Sequence, residues 1–340
     1  MNLSETLRTL CLAPGPTGNE REVADVAASL LEKYGPVRID RLGSVLCSIP
    51  GEGSSASAAP VLLEAHLDQV ALVVTGIEES GFLSFEGGDV RILASQEVTI
   101  YGKQTYYGVI TDRPPHLSGG KEDTPSHKAL RIDTGLPKET AEAQIPLGSR
   151  VLYRTAYAAL GEGMVTAPAI DNRAGVTAIL AALDRIQGKP HPPVLVQFSV
   201  QEESTQAGAT AAAFAAFTAG AEEAIAVDVT FGFAPGLTRR ETLPLGSGAA
   251  IGFSPALDDE FSRYLDYLAE SLDLPHTREI MSGRTGTDAE RIQAAGDGLR
   301  TALLSIPIRN MHTPVETADL KDIEATAKLI AAYLTKGGLV

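Results

Sequence analysis

The stretch VLVQFSVQEESTQAGA, residues 194–209, carries an apolar run into two adjacent carboxylates, Glu202 and Glu203. The run is β-branched and aromatic with little alternation, the pattern of a strand covered on both faces. Side chains at its end face the interior or the mouth of a cleft, where neighbouring like charges repel and lose hydration. A cation would relieve both costs. Glu203 would be a ligand, and Glu202 would hold or accept a proton beside it. Residues of suitable type recur in other short segments. VLLEAHLDQ ends in His66 and Asp68, AIAVDVT in Asp228 and ALLSIPIRNMHTPVE in His312, while AIDNR sets Asp171 just before a helical segment. Imidazole and carboxylate donors in this mixture suit Zn²⁺ or a similar first-row ion. Taken one at a time, each has an ordinary role: a His66–Asp68 hydrogen-bonding pair, Asp171 as a helix N-cap, Glu202 and Glu203 in a solvated loop, Asp228 on backbone amides, His312 in a buried turn. Convergence at one edge of one sheet would make them a metal site.

The elements that position these residues can be read from periodicity. Val23, Val26, Ala27, Leu30 and Leu31 fall at helical spacing before Gly35, and PVRIDRLGSVLCSIPG reads as a hairpin. From residue 164 on, strands and helices alternate: NRAGVTAILAALDRIQG, AGATAAAFAAFTAG, DDEFSRYLDYLAESLDL, TDAERIQAAG and DLKDIEATAKLIAAYL read as helices. This order predicts an α/β fold, a mostly parallel-strand sheet covered by helices, with ligands beyond the carboxyl ends of the strands. Between residues 70 and 163 short alternating runs such as EVTIYG, YYGVIT and ALRIDTG are separated by Gly, Pro and Asp, with almost no helical period. They predict an inserted β-rich, barrel-like domain interrupting an α/β domain of residues 1–69 and 164–340. DRPPHLSGGKEDTPSHK reads as a mobile loop within the insert.

Composition narrows the classes of function. The chain has 340 residues, 44% hydrophobic and 21% charged, enough for a large core. A formal net charge of −15 repels phosphate backbones and anionic lipid, so no nucleic-acid and no membrane partner is expected. The two cysteines, Cys11 and Cys47, form no disulfide framework, and with no secretory signal in the first residues a reducing, cytoplasmic compartment is expected. LGSGAAIGF lacks the lysine and spacing of a phosphate loop, so no nucleotide cofactor is expected. His116, His127, His191 and His276 lie in loop-like contexts and read as surface residues.

The motifs EAHLDQV, AIDNRAG, SVQEE, AVDVT, GTDAE and IPIRNMHTPVE resemble, in order, those of the tetrahedral and glutamyl aminopeptidases, a family of di-metal peptidases whose members have sometimes been called endoglucanases. The likeness runs from the first residues to the last helix and includes the position of the β-rich insert. It implies that His66 and Asp228 bind one metal ion, Glu203 and His312 the other, and that Asp171 bridges them. It further implies that Asp68 orients His66 and that Glu202 is the general base acting on a water shared by two cations. Zinc, cobalt and manganese all tolerate such ligands. Peptide substrates and a homo-oligomer, often a dodecamer in the family, are implied as well. The chain departs from the family pattern at Gln69 and Ala71 and in STQAG after the paired glutamates, which touches substrate preference rather than the ligand set. Arg284 and Arg309 are candidates to meet an acidic substrate side chain.

Three other readings compete with an aminopeptidase. A related di-metal deacylase or carboxypeptidase would share the metal logic. A glycosidase could use paired carboxylates, but it leaves two histidines and Asp171 without work, and a chain with no Trp poorly supplies a sugar-stacking cleft. A peptide-binding scaffold with a structural zinc would close its site with four protein ligands.

Overall fold

The computed structural model describes residues 1–113, 116 and 126–336. The chain packs as two compact units, one of Met1–Gln69, Tyr157–Met311 and the chain from Val315 on, the other of Val70–Ala156 with His312–Pro314. The first unit opens with helices α1 (Leu3–Leu12) and α2 (Arg21–Leu31) and strands β1 (Val37–Ile39), β2 (Val45–Ile49) and β3 (Val61–His66). The second unit contains β4 (Leu72–Ile77), β5 (Leu83–Glu86), α3 (Val90–Leu93), β6 (Glu97–Tyr101), β7 (Thr105–Thr111), β8 (Arg131–Asp133), α4 (Lys138–Gln144) and β9 (Arg150–Tyr153). The first unit resumes with β10 (Ala158–Leu160), β11 (Met164–Ala167), α5 (Ile170–Ile186), β12 (Val194–Ser199), α6 (Ala207–Thr218) and β13 (Glu223–Phe231). It continues through β14 (Ala249–Phe253), α7 (Asp259–Ser271), β15 (His276–Ile280), α8 (Ala289–Gln293), β16 (Arg300–Arg309), β17 (Glu316–Asp319) and α9 (Leu320–Lys336).

Among the described residues the first unit forms one eleven-stranded sheet, ordered β1-β2-β12-β3-β13-β16-β17-β11-β10, with β14 on β16 and β15 on β14. Its centre, β12-β3-β13-β16, is parallel, and antiparallel pairs flank it. All six residues of β3 are buried, as is β13 from Glu223 to Thr230. Burial on both faces is why these strands read as nearly continuous apolar runs. Helix α5 is buried almost all round because it lies between the sheet and helices α1 and α9. On the other face, small side chains of α6 (Ala209, Ala213, Ala216) pack with Ile292 of α8 against Leu62, Ala226 and Leu303.

The second unit is a closed barrel, β4-β5-β8-β7-β6-β9, around Leu72, Val98, Ile100, Ile132 and Val151. Two details differ from the sequence pattern. The first unit resumes at Tyr157 rather than 164, because β10 pairs with β11 and β11 with β17 of the large sheet. The insert also holds the helix α4, whose only buried side chain is Ala141, so it has no apolar stripe to read. Most of the expected mobile loop at residues 112–128 lies outside the described residues. Among the described residues no helix is long and apolar enough to cross a membrane.

Candidate metal centre

Parallel pairing sets the levels of the site. His66, the last residue of β3, is the register partner of Ser199 on β12. Ala226 of β13 pairs with Glu64, so Asp228 stands two residues further along β13, as His66 does along β3. Side chains two apart share a face, and His66 and Asp228 therefore meet: His66 Nε2 is 3.7 Å from Asp228 Oδ1. Asp171 reaches the same imidazole from the start of α5, with Oδ1 3.1 Å from His66 Nε2. Donor atoms of His66, Asp171 and Glu203 all lie within 4.8 Å of one another. Two ligands of one tetrahedral zinc, at bonds of about 2.1 Å, stand roughly 3.4 Å apart. The spacings around His66 bracket that value, and the hard-oxygen and imidazole donors fit a first-row divalent ion.

Local structure holds each donor in place. Asp171 and Asn172 keep non-helical backbone at the start of α5, and the peptide bond between them is cis. The Asp171 N–H donates to Glu316 Oε2 at 2.9 Å, and Asn172 Nδ2 donates to the Val227 carbonyl at 2.7 Å. The Asp228 carboxylate accepts its neighbour's N–H, Val229, at 2.8 Å. Arg173, fully buried, donates Nη1 to the carbonyls of Leu10 and Ala13 and ties the start of α5 to the end of α1.

Asp68 does more than face the imidazole. His66 Nδ1 is 3.2 Å from the Asp68 backbone oxygen and 3.6 Å from its Oδ1, so the carbonyl makes the tighter contact. The Asp68 carboxylate is fully buried and accepts the backbone N–H of Glu202 at 2.9 Å, that of Glu203 at 3.1 Å, and the Thr17 hydroxyl at 2.9 Å. It thus holds the whole turn that carries the paired glutamates.

Electrostatics answers why two carboxylates tolerate this position. Burial pushes Glu202 up to about 7, with Asp228 and Asp288 adding and His66 opposing. Burial, then Asp171, pushes Glu203 up to about 10. Burial pulls the His66 imidazole down, but hydrogen bonds to Asp171 and Asp228 outweigh it and hold it well above the ordinary value. Without a cation these groups favour their protonated forms, and a bound cation would take the place of those protons. A second acid–imidazole group, Asp266, Glu270 and His276, behaves differently, because the Arg278 guanidinium already bonds to both carboxylates.

His312 lies in the turn between β16 and β17 with φ 62°, within the segment that packs with the second unit. Arg284 is exposed and paired with Glu290, and Arg309 donates to the Phe233 carbonyl. The amides of LGSGAAIGF are not a phosphate cradle: Gly246 and Gly248 donate to the Asp322 carboxylate at 2.7 Å each. His116 is exposed, but His191 is buried, a correction to its surface reading, because its backbone bridges Glu52 and its ring bonds the Pro192 carbonyl. Sequence reasoning missed Thr17 and Gln206, whose contacts with Asp68 and Glu202 join segments that only the fold or a turn brings together.

This fold and donor cluster are those of a metallopeptidase. The family model of the M42 glutamyl aminopeptidases matches residues 43–329, and the chain belongs to that family and is a metallo-aminopeptidase. It is 31% identical to the lysyl aminopeptidase of Pyrococcus furiosus, over 97% of this chain and 96% of that protein. The solved aminopeptidase APDkam598 of Desulfurococcus kamchatkensis superposes with a TM-score of 0.89 at 29% identity, covering 98% of this chain and 94% of that one. The TET1 peptidase of Pyrococcus horikoshii, described as assembling into a tetrahedron or a large octahedral shell, gives a TM-score of 0.85 at 28% identity, covering 98% and 100%.

Proposed function

We propose that this chain removes N-terminal residues from peptides using two divalent cations, zinc or cobalt before manganese. His66 and Asp228 would hold one, Glu203 and His312 the other, with Asp171 shared. The observation that carries the reading is the meeting of His66, Asp171 and Glu203 donors within 4.8 Å, with Glu202 next in the chain. When bound, such cations supply Lewis-acid polarisation of the scissile carbonyl and a more acidic water. Glu202, its backbone fixed by Asp68, would take the proton of the attacking water and return it to the leaving amine. The substrate's free α-amino group would bind near a metal ion or one of its carboxylate ligands, which favours exopeptidase action. The assemblies of the TET1 relative support a homo-oligomer, proposed here as a dodecamer. Cys11 and Cys47, both free and buried, suit a cytoplasmic setting.

The test is release of chromophore from a panel of aminoacyl anilides, with and without added Co²⁺ or Zn²⁺, alongside amino-terminally blocked controls. Metal-dependent turnover of free-amine substrates alone is expected. Equal turnover of blocked substrates, or of C-terminal residues, would replace the reading by a deacylase or carboxypeptidase.

A further inference from the structure

Glu202 is held at its backbone by Asp68, but a general base also needs its carboxylate fixed. The described contact that does so comes from the turn that follows. Gln206 Nε2 donates to Glu202 Oε1 at 3.0 Å. An amide can be turned over without changing its shape, so its direction comes from its partners. The Glu202 carboxylate accepts, and on the other side Arg291 of α8 donates Nε to Gln206 Oε1 at 3.1 Å. A guanidinium only donates, so the amide oxygen has to face Arg291 and the amide nitrogen has to face Glu202. The backbone of Gln206 is set as well. It has a left-handed φ of 56°, its N–H donates to the Gln201 carbonyl at 2.8 Å, and its carbonyl accepts from Thr210 at the first turn of α6.

Resting on the reading that Glu202 is the base, we propose that Gln206 is a positioning residue for its carboxylate, itself aimed by Arg291. The relay runs Arg291 to Gln206 to Glu202, occupies Oε1 and directs proton transfer to Oε2. It also gives α8, through Arg291, a link to the base with no ligand role of its own.

The test compares Gln206→Leu, Arg291→Met and the double variant on the metal-loaded enzyme. Misplacing a reacting group by about 1 Å costs on the order of 100-fold. Gln206→Leu is expected to lower kcat by about 10- to 100-fold, with KM and metal content near wild type. Arg291→Met should lower kcat by a smaller factor, and the double variant should be no slower than Gln206→Leu alone, since the second change finds nothing left to aim. A Gln206→Leu enzyme within twofold of wild type, or single losses that multiply in the double variant, would overturn the relay while leaving the aminopeptidase reading intact. A wild-type chain that binds metal but turns over no aminoacyl substrate would remove both.

Discussion

Asp68 Oδ1 accepts the backbone N–H of Glu202 at 2.9 Å. The other oxygen of the same carboxylate receives Glu203 and Thr17, so three donors converge on a group with no exposed surface. An asparagine there keeps one acceptor oxygen and presents an NH2 to at least one donor. Asp68→Asn should therefore cost about 1–3 kcal/mol of stability and lower kcat together with metal affinity, because base and ligand share the turn. Urea denaturation and metal titration of the variant check this. An unchanged denaturation midpoint would show that the turn holds without Asp68.

Glu202→Gln keeps the shape of the side chain and its contact with Gln206, and it removes only the ability to accept a proton. Metal content should stay near wild type, while turnover falls by a factor of about 100 to 10,000. Elemental analysis and single-turnover kinetics on the same preparation separate the two effects. Near-normal turnover would move the base to another group.

Asp171→Ala removes the donor 3.1 Å from His66 and is expected to lose both cations. It should also leave the remaining donors less crowded, so the metal-free variant should be at least as stable as the metal-free wild type. Dialysis against a chelator should silence the wild-type enzyme and readdition of Co²⁺ or Zn²⁺ should restore it. Activity that survives chelation, accompanied by release of reducing sugar, would favour a glycosidase.

The central strands and the meeting of His66, Asp171 and Glu203 were legible because burial and chemistry write themselves into local sequence. β3, β12, β13 and β16 are apolar runs; His66 ends β3, Asp68 and Glu203 follow β3 and β12, and Asp228 lies inside β13 toward its carboxyl end. What was illegible depends on partners distant in sequence or set by a turn. β10 and β11 are short, and their place in the large sheet comes from the pairing of β11 with β17. Asp68 was expected to act on His66 alone, since nothing in the chain before Gln69 says that residues 202 and 203 will turn back onto it. Gln206 gives no periodic signal, and its meaning comes from Arg291, 85 residues away.

Asp322 offers a test of the fold remote from the chemistry. It sits in the first turn of α9, fully buried, and accepts the N–H groups of Gly246 and Gly248. Those bonds favour the ionised form, but burial outweighs them and raises the carboxyl from 3.8 to about 6. Above pH 6 both folded and unfolded chains carry the charge, and the folded state bears the cost of burying it. Between pH 6 and 3.8 the folded chain binds a proton that the unfolded chain does not, so stability rises as pH falls; below 3.8 the gain is complete. The full shift corresponds to about 3 kcal/mol. Asp322→Asn cannot titrate, so the wild type should gain about that much on the variant when denaturation is measured at pH 7 and then at pH 4. Taking the difference between the two proteins cancels the other carboxylates. A difference that stays constant across that range would mean that the two glycine amides hold Asp322 ionised throughout.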